Sequence, residues 1–302
     1  MLICSKKPLL FSFALFACLT LGFGKSTSAQ EGLVLTISPL KFELEAKKGE
    51  TVIKEVTLSN SSGSKVSIKA GAKDFVAAGE EGKPRFVSEE QSPWSMSRWI
   101  KARPARFELQ PGERKKIKVI IKVPKDAEPG GHYAAALFSS APSKGGQTGV
   151  VAQLGSLILL RVPGKIVEKG RIVSLVVPRL IESGPIDIRL RFENEGNVHV
   201  KPEGKIKIRR LWGRETAALD IGGENVLPKS ARLFETRWDK VPSWGIFMVQ
   251  GRLKYGAKQR FAASSKTILF VMPWRLILFV LTIFLLGLIL GLMVRRRKKT
   301  LE

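Results

Sequence analysis

Short runs of alternating apolar and polar residues fill the middle of the chain. The run Ile186–Phe192 is apolar at every second position, with aspartate or arginine between, and Lys115–Val123 and Gly204–Leu211 repeat the pattern with basic residues. A period of two is typical of a β-strand with one face in a core and one in water. Turn residues separate these runs, at the regular spacing that is typical of the strands of a β-sandwich. Ser92–Trp99 breaks the pattern and predicts a short helical turn or loop. The rest predicts an all-β fold.

A continuous apolar run, Leu276–Val294, has Thr282 as its one clearly polar member. As a helix it covers about 28 Å, close to a hydrocarbon core about 30 Å thick. We therefore predict a transmembrane helix over 273–294 and a basic tail over 295–302. Cations are retained on the cytoplasmic side, which predicts a single-pass type I protein in the cell membrane, with its N-terminus outside and its C-terminus in the cytoplasm. The predicted border residues are Trp274 and Arg275 outside and Arg295, Arg296, Arg297, Lys298 and Lys299 inside.

The first apolar run, Leu9–Phe23, has the layout of a secretory signal. Lys6 and Lys7 precede it, and small residues place a cleavage site before Gln30. We predict a signal peptide over 1–29. An uncleaved anchor is the alternative, and lipidation at Cys18 fits its bulky neighbours poorly.

The region between the two apolar runs is long enough for two domains of ordinary size. Val150–Val162 reads as the closing strand of the first, and Pro163-Gly164-Lys165 marks the predicted boundary. The sequence predicts two tandem immunoglobulin-like β-sandwiches, over 30–164 and 165–272, followed by one transmembrane α-helix. Both cysteines, Cys4 and Cys18, fall in the signal segment, so the mature protein has neither disulfides nor cysteine-based metal sites. No cofactor or metal is expected.

The chain is strongly basic, with a formal net charge of +25, and most of the excess lies between the apolar runs. Such a charge attracts polyanions. For an exported protein these are an anionic cell-wall polymer, peptidoglycan or lipid head groups, and nucleic acid is not an expected partner. Outward lysines that merely protect sheets from aggregation are the alternative. The candidate polyanion-binding residues are Lys116, Lys118, Lys122, Arg189, Arg191, Lys205, Lys207 and Arg209.

The sequence contains few candidate catalytic residues. The two histidines, His132 and His199, lie far apart in sequence and in neither a nucleophile nor a zinc motif. The pair Glu80-Glu81 reads as solvated charge in a polar loop. Trp99 is expected in a core, while for Trp94 a core position and a sugar-stacking position are equally open. We expect a protein that is not an enzyme.

Three motifs carry a family resemblance. They are Arg-Phe-Glu-Leu-Gln-Pro-Gly-Glu at 106–113, Pro-Lys-Asp-Ala-Glu-Pro-Gly-Gly-His-Tyr at 124–133, and Phe-Glu-Asn-Glu-Gly-Asn-Val at 192–198. Their order resembles the immunoglobulin-like domains of bacterial surface proteins, above all the WxL-interacting family, and more distantly pilus-chaperone domains. The resemblance implies peptidoglycan binding by the first domain and partner binding by the second.

Two hypotheses follow. The first is a membrane-anchored, non-enzymatic surface protein whose sandwiches bind cell-wall polymer or other surface proteins. The alternative is a chaperone-like factor that donates strands to, or accepts strands from, exported or pilus-type subunits.

Overall fold

The computed structural model describes residues 34–88, 92–140 and 152–299. The predicted signal peptide and the chain terminus beyond residue 299 lie outside the described residues. The strands in chain order are β1 Leu35–Ser38, β2 Lys41–Glu45, β3 Thr51–Asn60, β4 Val66–Ala78, β5 Lys83–Val87, β6 Ile100–Arg103, β7 Arg106–Leu109, β8 Arg114–Lys122, β9 Gly130–Ser140, β10 Gln153–Val162, β11 Gly170–Val176, β12 Leu180–Ile181, β13 Ile186–Asn194, β14 Glu203–Arg210, β15 Glu215–Gly222, β16 Ser230–Trp238, β17 Gly245–Tyr255, β18 Arg260–Ala263 and β19 Thr267–Val271.

The first ten strands form two sheets that pack face to face. Sheet I has the order β1-β3-β8-β6, and sheet II has the order β2-β10-β9-β4-β5 with β7 also pairing with β4. The chain changes sheets between β1 and β2 at Pro39, which follows a cis peptide bond. Strand β2 then runs parallel to β10, while β10 and β9 are antiparallel over ten residue pairs.

The remaining strands form a second sandwich. Sheet III has the order β11-β13-β16, and sheet IV has the order β12-β19-β17-β14-β15 with β18 also pairing with β17. The protein is therefore all-β up to its terminal helix, as the sequence predicts. The predicted boundaries at residues 29–30 and 164–165 stay predictions.

Alternation along the strands builds the two cores. In β8 the side chains of Ile117, Val119 and Ile121 are fully buried between sheets I and II, while Lys118 and the flanking Lys116 and Lys122 are exposed. In β13 Ile188, Leu190 and Phe192 are buried in the same way. Burial of such side chains stabilises each sandwich by about 1.5–3 kcal/mol per residue. The helical turn expected within 92–99 is a 3₁₀ turn, Ser97–Trp99.

One helix, α1, Trp274–Lys299, follows β19 after two residues. Its segment Trp274–Met293 is long and apolar enough to cross a membrane. The helix continues through the basic run that the sequence places in a separate tail, because lysine and arginine are good helix formers. Which end of α1 faces the cytoplasm stays a prediction.

Candidate functional site

The candidate cations of the first sandwich lie on the outer face of sheet I. Lys116, Lys118 and Lys122 of β8 are exposed there, and neighbouring strands bring further cations and one carboxylate, Glu55. Within the described residues the six cations of this surface are Lys101, Arg103, Arg114, Lys116, Lys118 and Lys122, and we call them the basic face. Glu55 lies 3.8 Å from Lys116, in the one ion pair that the described residues form on this surface. The basic face thus keeps most of its positive charge.

Two isoleucines lie at the centre of the basic face. Ile120 of β8 is directly opposite Ile53 of β3, and Ile53 is about half exposed. On its other side Ile120 pairs with Lys101. Lysine stems cover apolar surface while their ammonium groups stay in water. The face therefore offers cations around a small apolar centre.

The candidate cations of the second sandwich are arranged differently. Four of the five form ion pairs with acidic residues on other strands or loops, at 2.6–3.4 Å. These pairs are Arg189 with Glu235, Arg191 with Glu80, Lys205 with Asp220, and Lys207 with Glu215. Arg209, the fifth, is exposed at the end of β14. The positive charge of these strands is therefore largely compensated locally.

Glu80 has a structural role that the sequence analysis missed. It lies between β4 and β5, where its carboxylate accepts a hydrogen bond from Arg191 at 2.7 Å. Its carbonyl oxygen accepts the backbone N–H of Leu233 at 2.9 Å. The expectation that Glu80 is simply solvated charge is therefore wrong. Its partners lie more than a hundred residues away, and no local signal reveals them.

The outer face of sheet II is apolar and covered. Phe75, Tyr133, Leu137 and Leu159 form a buried cluster, against which Leu227 of the second sandwich packs. Trp94, from the loop before β6, packs on the same cluster. This answers the open question about Trp94, which covers apolar residues of the first sandwich. Trp99 packs against the main core and against the His132 ring.

The two histidines take structural positions. The ring of His132 is buried, with Nε2 2.9 Å from the carbonyl oxygen of Glu128. His199 meets Tyr133 across the contact between the sandwiches: its backbone N–H donates to the phenol oxygen at 2.7 Å, and its Nδ1 lies 3.2 Å from that oxygen. Burial lowers the pKa of His199 to about 4, opposed by Glu43 and aided by Arg161. The neutral ring can accept the phenol proton at Nδ1.

An ion pair adds to the contact between the sandwiches. Arg161, on β10, donates a hydrogen bond to the carboxylate of Glu168. The same carboxylate accepts the backbone N–H of Ala257 at 3.0 Å. The Glu168 side chain is almost fully buried, so this arrangement joins β10 to the turn after β17. The two sandwiches are held by polar contacts around an apolar centre.

Strand β10 has an open edge at its start. It pairs with β9 from Gln153 to Val162, but with β2 only from Leu157 to Arg161. The N–H of Leu157 donates to the carbonyl oxygen of Leu40, just before β2, and the carbonyl oxygen of Ala152 accepts the N–H of Ser140 on β9. Since successive residues direct their backbone groups to opposite sides, Gln153 and Gly155 direct theirs away from β9. Among the described residues no strand pairs with them on that side.

The open edge lacks the usual protective features. Gln153-Leu154-Gly155-Ser156 contains neither charge nor proline. Edge strands are commonly protected by lysine, proline or bulges. Strands β5 and β6, edges of sheets II and I, show this protection with Lys83, Pro84 and Arg85 and with Lys101 and Arg103. The start of β10 can therefore accept a further strand.

Comparisons with known proteins give structural likeness only. No model of a known protein family matches the sequence, and no curated protein matches it. The chain is similar in structure to the class 5 fimbrial chaperone CfaA, with 14% identity, a TM-score of 0.39, and coverage of 80% of this chain and 100% of that one.

Two further structures are similar to the same degree. The E. coli chaperone DraB is 11% identical, with a TM-score of 0.37 and coverage of 78% and 97%. The complex of the SafB chaperone with the SafA pilin from Salmonella enterica is also similar, with 12% identity, a TM-score of 0.38, and coverage of 80% of this chain and 99% of that one. The distant resemblance to pilus-chaperone domains is thus found again in structure, and the resemblance to the WxL-interacting family is not confirmed. Identities and TM-scores this low assign no function to this chain.

Proposed function

We propose that this protein is a membrane-anchored, chaperone-like assembly factor that holds other exported polypeptides by accepting one of their strands at the open edge of β10. The observation that carries the proposal is the pairing of β10. Ten of its residues are paired with residues of β9 on one side, but only five are paired with residues of β2 on the other. Main-chain hydrogen bonds to an exposed edge give affinity for an extended peptide without requiring a fixed sequence.

The surroundings of this edge favour an extended apolar segment as partner. Leu154 and Leu35 are partly buried there and pack against the main core of the first sandwich. Side chains alternate across a strand, so a partner strand beside β10 would direct every second residue toward this core. Alternating apolar residues would therefore be preferred.

A proline substitution at Gly155 tests the proposal. Proline removes the N–H that faces the open side and leaves the β9 ladder intact, because Gly155 does not bond to β9 through that group. Gly155→Ala is the matched control, since it adds the same Cβ, which meets the flexible Leu137 side chain at 3.0 Å. The full chain, purified from envelopes in mild detergent, is expected to lose its co-purifying exported polypeptides as Gly155→Pro and keep them as Gly155→Ala.

Equal retention of the same polypeptides by both variants and by the unmodified chain would reject strand addition. Equal loss in both would indicate damage to the sandwich by the added Cβ, and the pair of variants at Gln153 then decides. Gln153→Pro, with Gln153→Ala as its control, repeats the test at the second outward-facing N–H and avoids the Leu137 contact altogether.

A second candidate function, binding of an anionic wall polymer, is favoured by the basic face of sheet I. Among the described residues of this face, six cations accompany a single carboxylate, Glu55. Retention of the full chain on purified cell-wall sacculi is expected to fall as salt rises, because exposed charges are screened within about 10 Å at 0.1 M salt. Salt-independent retention, or none, would exclude this function.

A further inference from the structure

The exposed tryptophans of the second sandwich are concentrated at one end. Trp212, in the turn between β14 and β15, is 87% exposed, and Trp244, just before β17, is 66% exposed. The chain has six tryptophans. Trp94, Trp99 and Trp238 are buried or half-buried, whereas Trp212, Trp244 and Trp274 are exposed. A fully exposed tryptophan is unusual, because the ring loses a large burial energy.

The Trp212 and Trp244 rings line one cavity of about 690 Å³. Besides Trp212 and Trp244, its walls include the exposed apolar side chains of Leu180, Phe270 and Met272. We call these five residues the apolar end. They come from the β14–β15 turn, the loop before β17, the start of β12 and the end of β19.

The apolar end adjoins the membrane helix. Met272 lies two residues before Trp274, the first residue of α1, and its carbonyl oxygen accepts the Trp274 N–H at 2.7 Å. Arg275 is tied to the same end of the sandwich, since its N–H bonds to Glu182 at 2.9 Å. Consecutive Cα atoms are 3.8 Å apart, so the apolar end lies within a few residues' reach of the bilayer surface.

Exposed arginines lie beside the apolar end. Arg209, Arg210 and Arg214 flank Trp212 in sequence, and all three are exposed. The Arg210 guanidinium also lies 5.5 Å from the centre of the Trp244 ring. Tryptophan with arginine is the combination found at membrane–water interfaces, where the ring enters the headgroup layer and the cation contacts phosphate.

We propose that the apolar end of the second sandwich inserts into the interfacial layer of the same bilayer that α1 enters, with Arg209, Arg210 and Arg214 against anionic phospholipid head groups. The proposal rests on α1 crossing a membrane and is independent of strand addition at β10. In this arrangement the second sandwich contacts the bilayer directly instead of being joined to it only by a flexible linker. The first sandwich then projects away from the membrane surface.

Tryptophan quenching by brominated lipids tests the insertion. The full chain is placed in nanodiscs of phosphatidylcholine and phosphatidylglycerol, with or without bromine on the upper acyl carbons. In a Trp274→Phe chain, bromine is expected to quench much of the emission through Trp212 and Trp244. In Trp274→Phe/Trp212→Ser/Trp244→Ser the emission is expected to match that in unbrominated nanodiscs.

The proposal is overturned if Trp274→Phe is not quenched, or if the triple variant is quenched equally. Quenching of the unmodified chain then shows separately, through Trp274, whether α1 lies in the bilayer. Phe261→Ser, in the Trp274→Phe background, is the matched surface control. Its ring is 72% exposed on β18 and lies outside the apolar end, so quenching is expected to be unchanged.

Discussion

The basic face of the first sandwich and the basic strands of the second share one sequence pattern but present different surfaces. In both, apolar residues alternate with lysine and arginine. In the part of the chain that the structure describes, the basic face has one carboxylate near six cations, whereas four of the five candidate cations in the second sandwich have an acidic partner within 3.4 Å. Surface character thus depends on what lies on the neighbouring strands.

The difference in uncompensated charge between the two regions also depends on the contact between the sandwiches. The carboxylate that compensates Arg191 belongs to Glu80 of the first sandwich, and the nearby surfaces meet through Tyr133 and His199. Separation of the two sandwiches would leave Arg191 without this partner. The positive charge of the second sandwich would then increase, and the difference between the regions would become smaller.

Acidification gives the largest expected effect. His199 has a pKa of about 4 in the folded chain and an ordinary value near 6.5 when unfolded. Its depressed pKa means that stability present above pH 6.5 is lost as the pH falls toward 4, by at most about 3 kcal/mol. Thermal unfolding of the full chain in detergent is expected to show a large loss of stability between pH 7 and pH 5. His199→Gln is expected to remove most of it.

Glu113 and Glu195 do not account for a loss in that range. Hydrogen bonds and ion pairs lower the pKa values of Glu113 and Glu195 below 4.5, so their contributions are lost only at lower pH. An equal loss in the unmodified chain and His199→Gln between pH 7 and pH 5 would contradict the structural role assigned to His199.

Removal of charge from the basic face ranks second. Lys101→Gln/Lys118→Gln/Lys122→Gln is expected to weaken retention on cell-wall sacculi about ten-fold at low salt, from three exposed contacts of about 0.5 kcal/mol each. The matched triple variant in the second sandwich, Arg189→Gln/Lys205→Gln/Lys207→Gln, is expected to change retention about two-fold or less, because those cations are already paired. Equal effects would remove the distinction between the two regions.

The Glu80–Arg191 ion pair has a smaller expected effect. Both side chains are more than a third exposed and water screens the pair, so Glu80→Gln is expected to lower the free energy of unfolding only slightly, as measured by urea titration. Glu81→Gln is the neighbouring control, since Glu81 pairs with Lys83 within its own hairpin and is expected to change nothing measurable. A loss of several kcal/mol in Glu80→Gln would mean that this pair dominates the contact between the sandwiches.

The smallest effect is expected at Glu55. Glu55→Gln removes the carboxylate near Lys116 and is expected to raise retention on sacculi less than about two-fold, because the pair is long and exposed. Reduced retention would show that Glu55 contributes to polymer contact directly.

The sequence predicts the strands well because a two-residue period is a local signal. It places Lys116, Lys118 and Lys122 correctly outward, and Ile117, Val119 and Ile121 inward. It does not predict ion pairs such as Arg191 with Glu80, whose members are 111 residues apart. The open edge of β10 cannot be predicted from the sequence either, because it depends on where β2 begins to pair with β10. The sequence also does not predict that Trp212 and Trp244 are exposed, because their exposure depends on how the strands around them pack.

The most direct test of strand addition is photo-crosslinking in living cells from a probe at position 153. Gln153 is exposed at the open edge, and a second probe at Lys101, on the basic face, serves as the comparison. Strand addition at β10 predicts crosslinks from position 153 to extended, alternately apolar segments of exported proteins, lost in Gly155→Pro and kept in Gly155→Ala. Crosslinks to the same segments from both positions, or none from position 153, would contradict it.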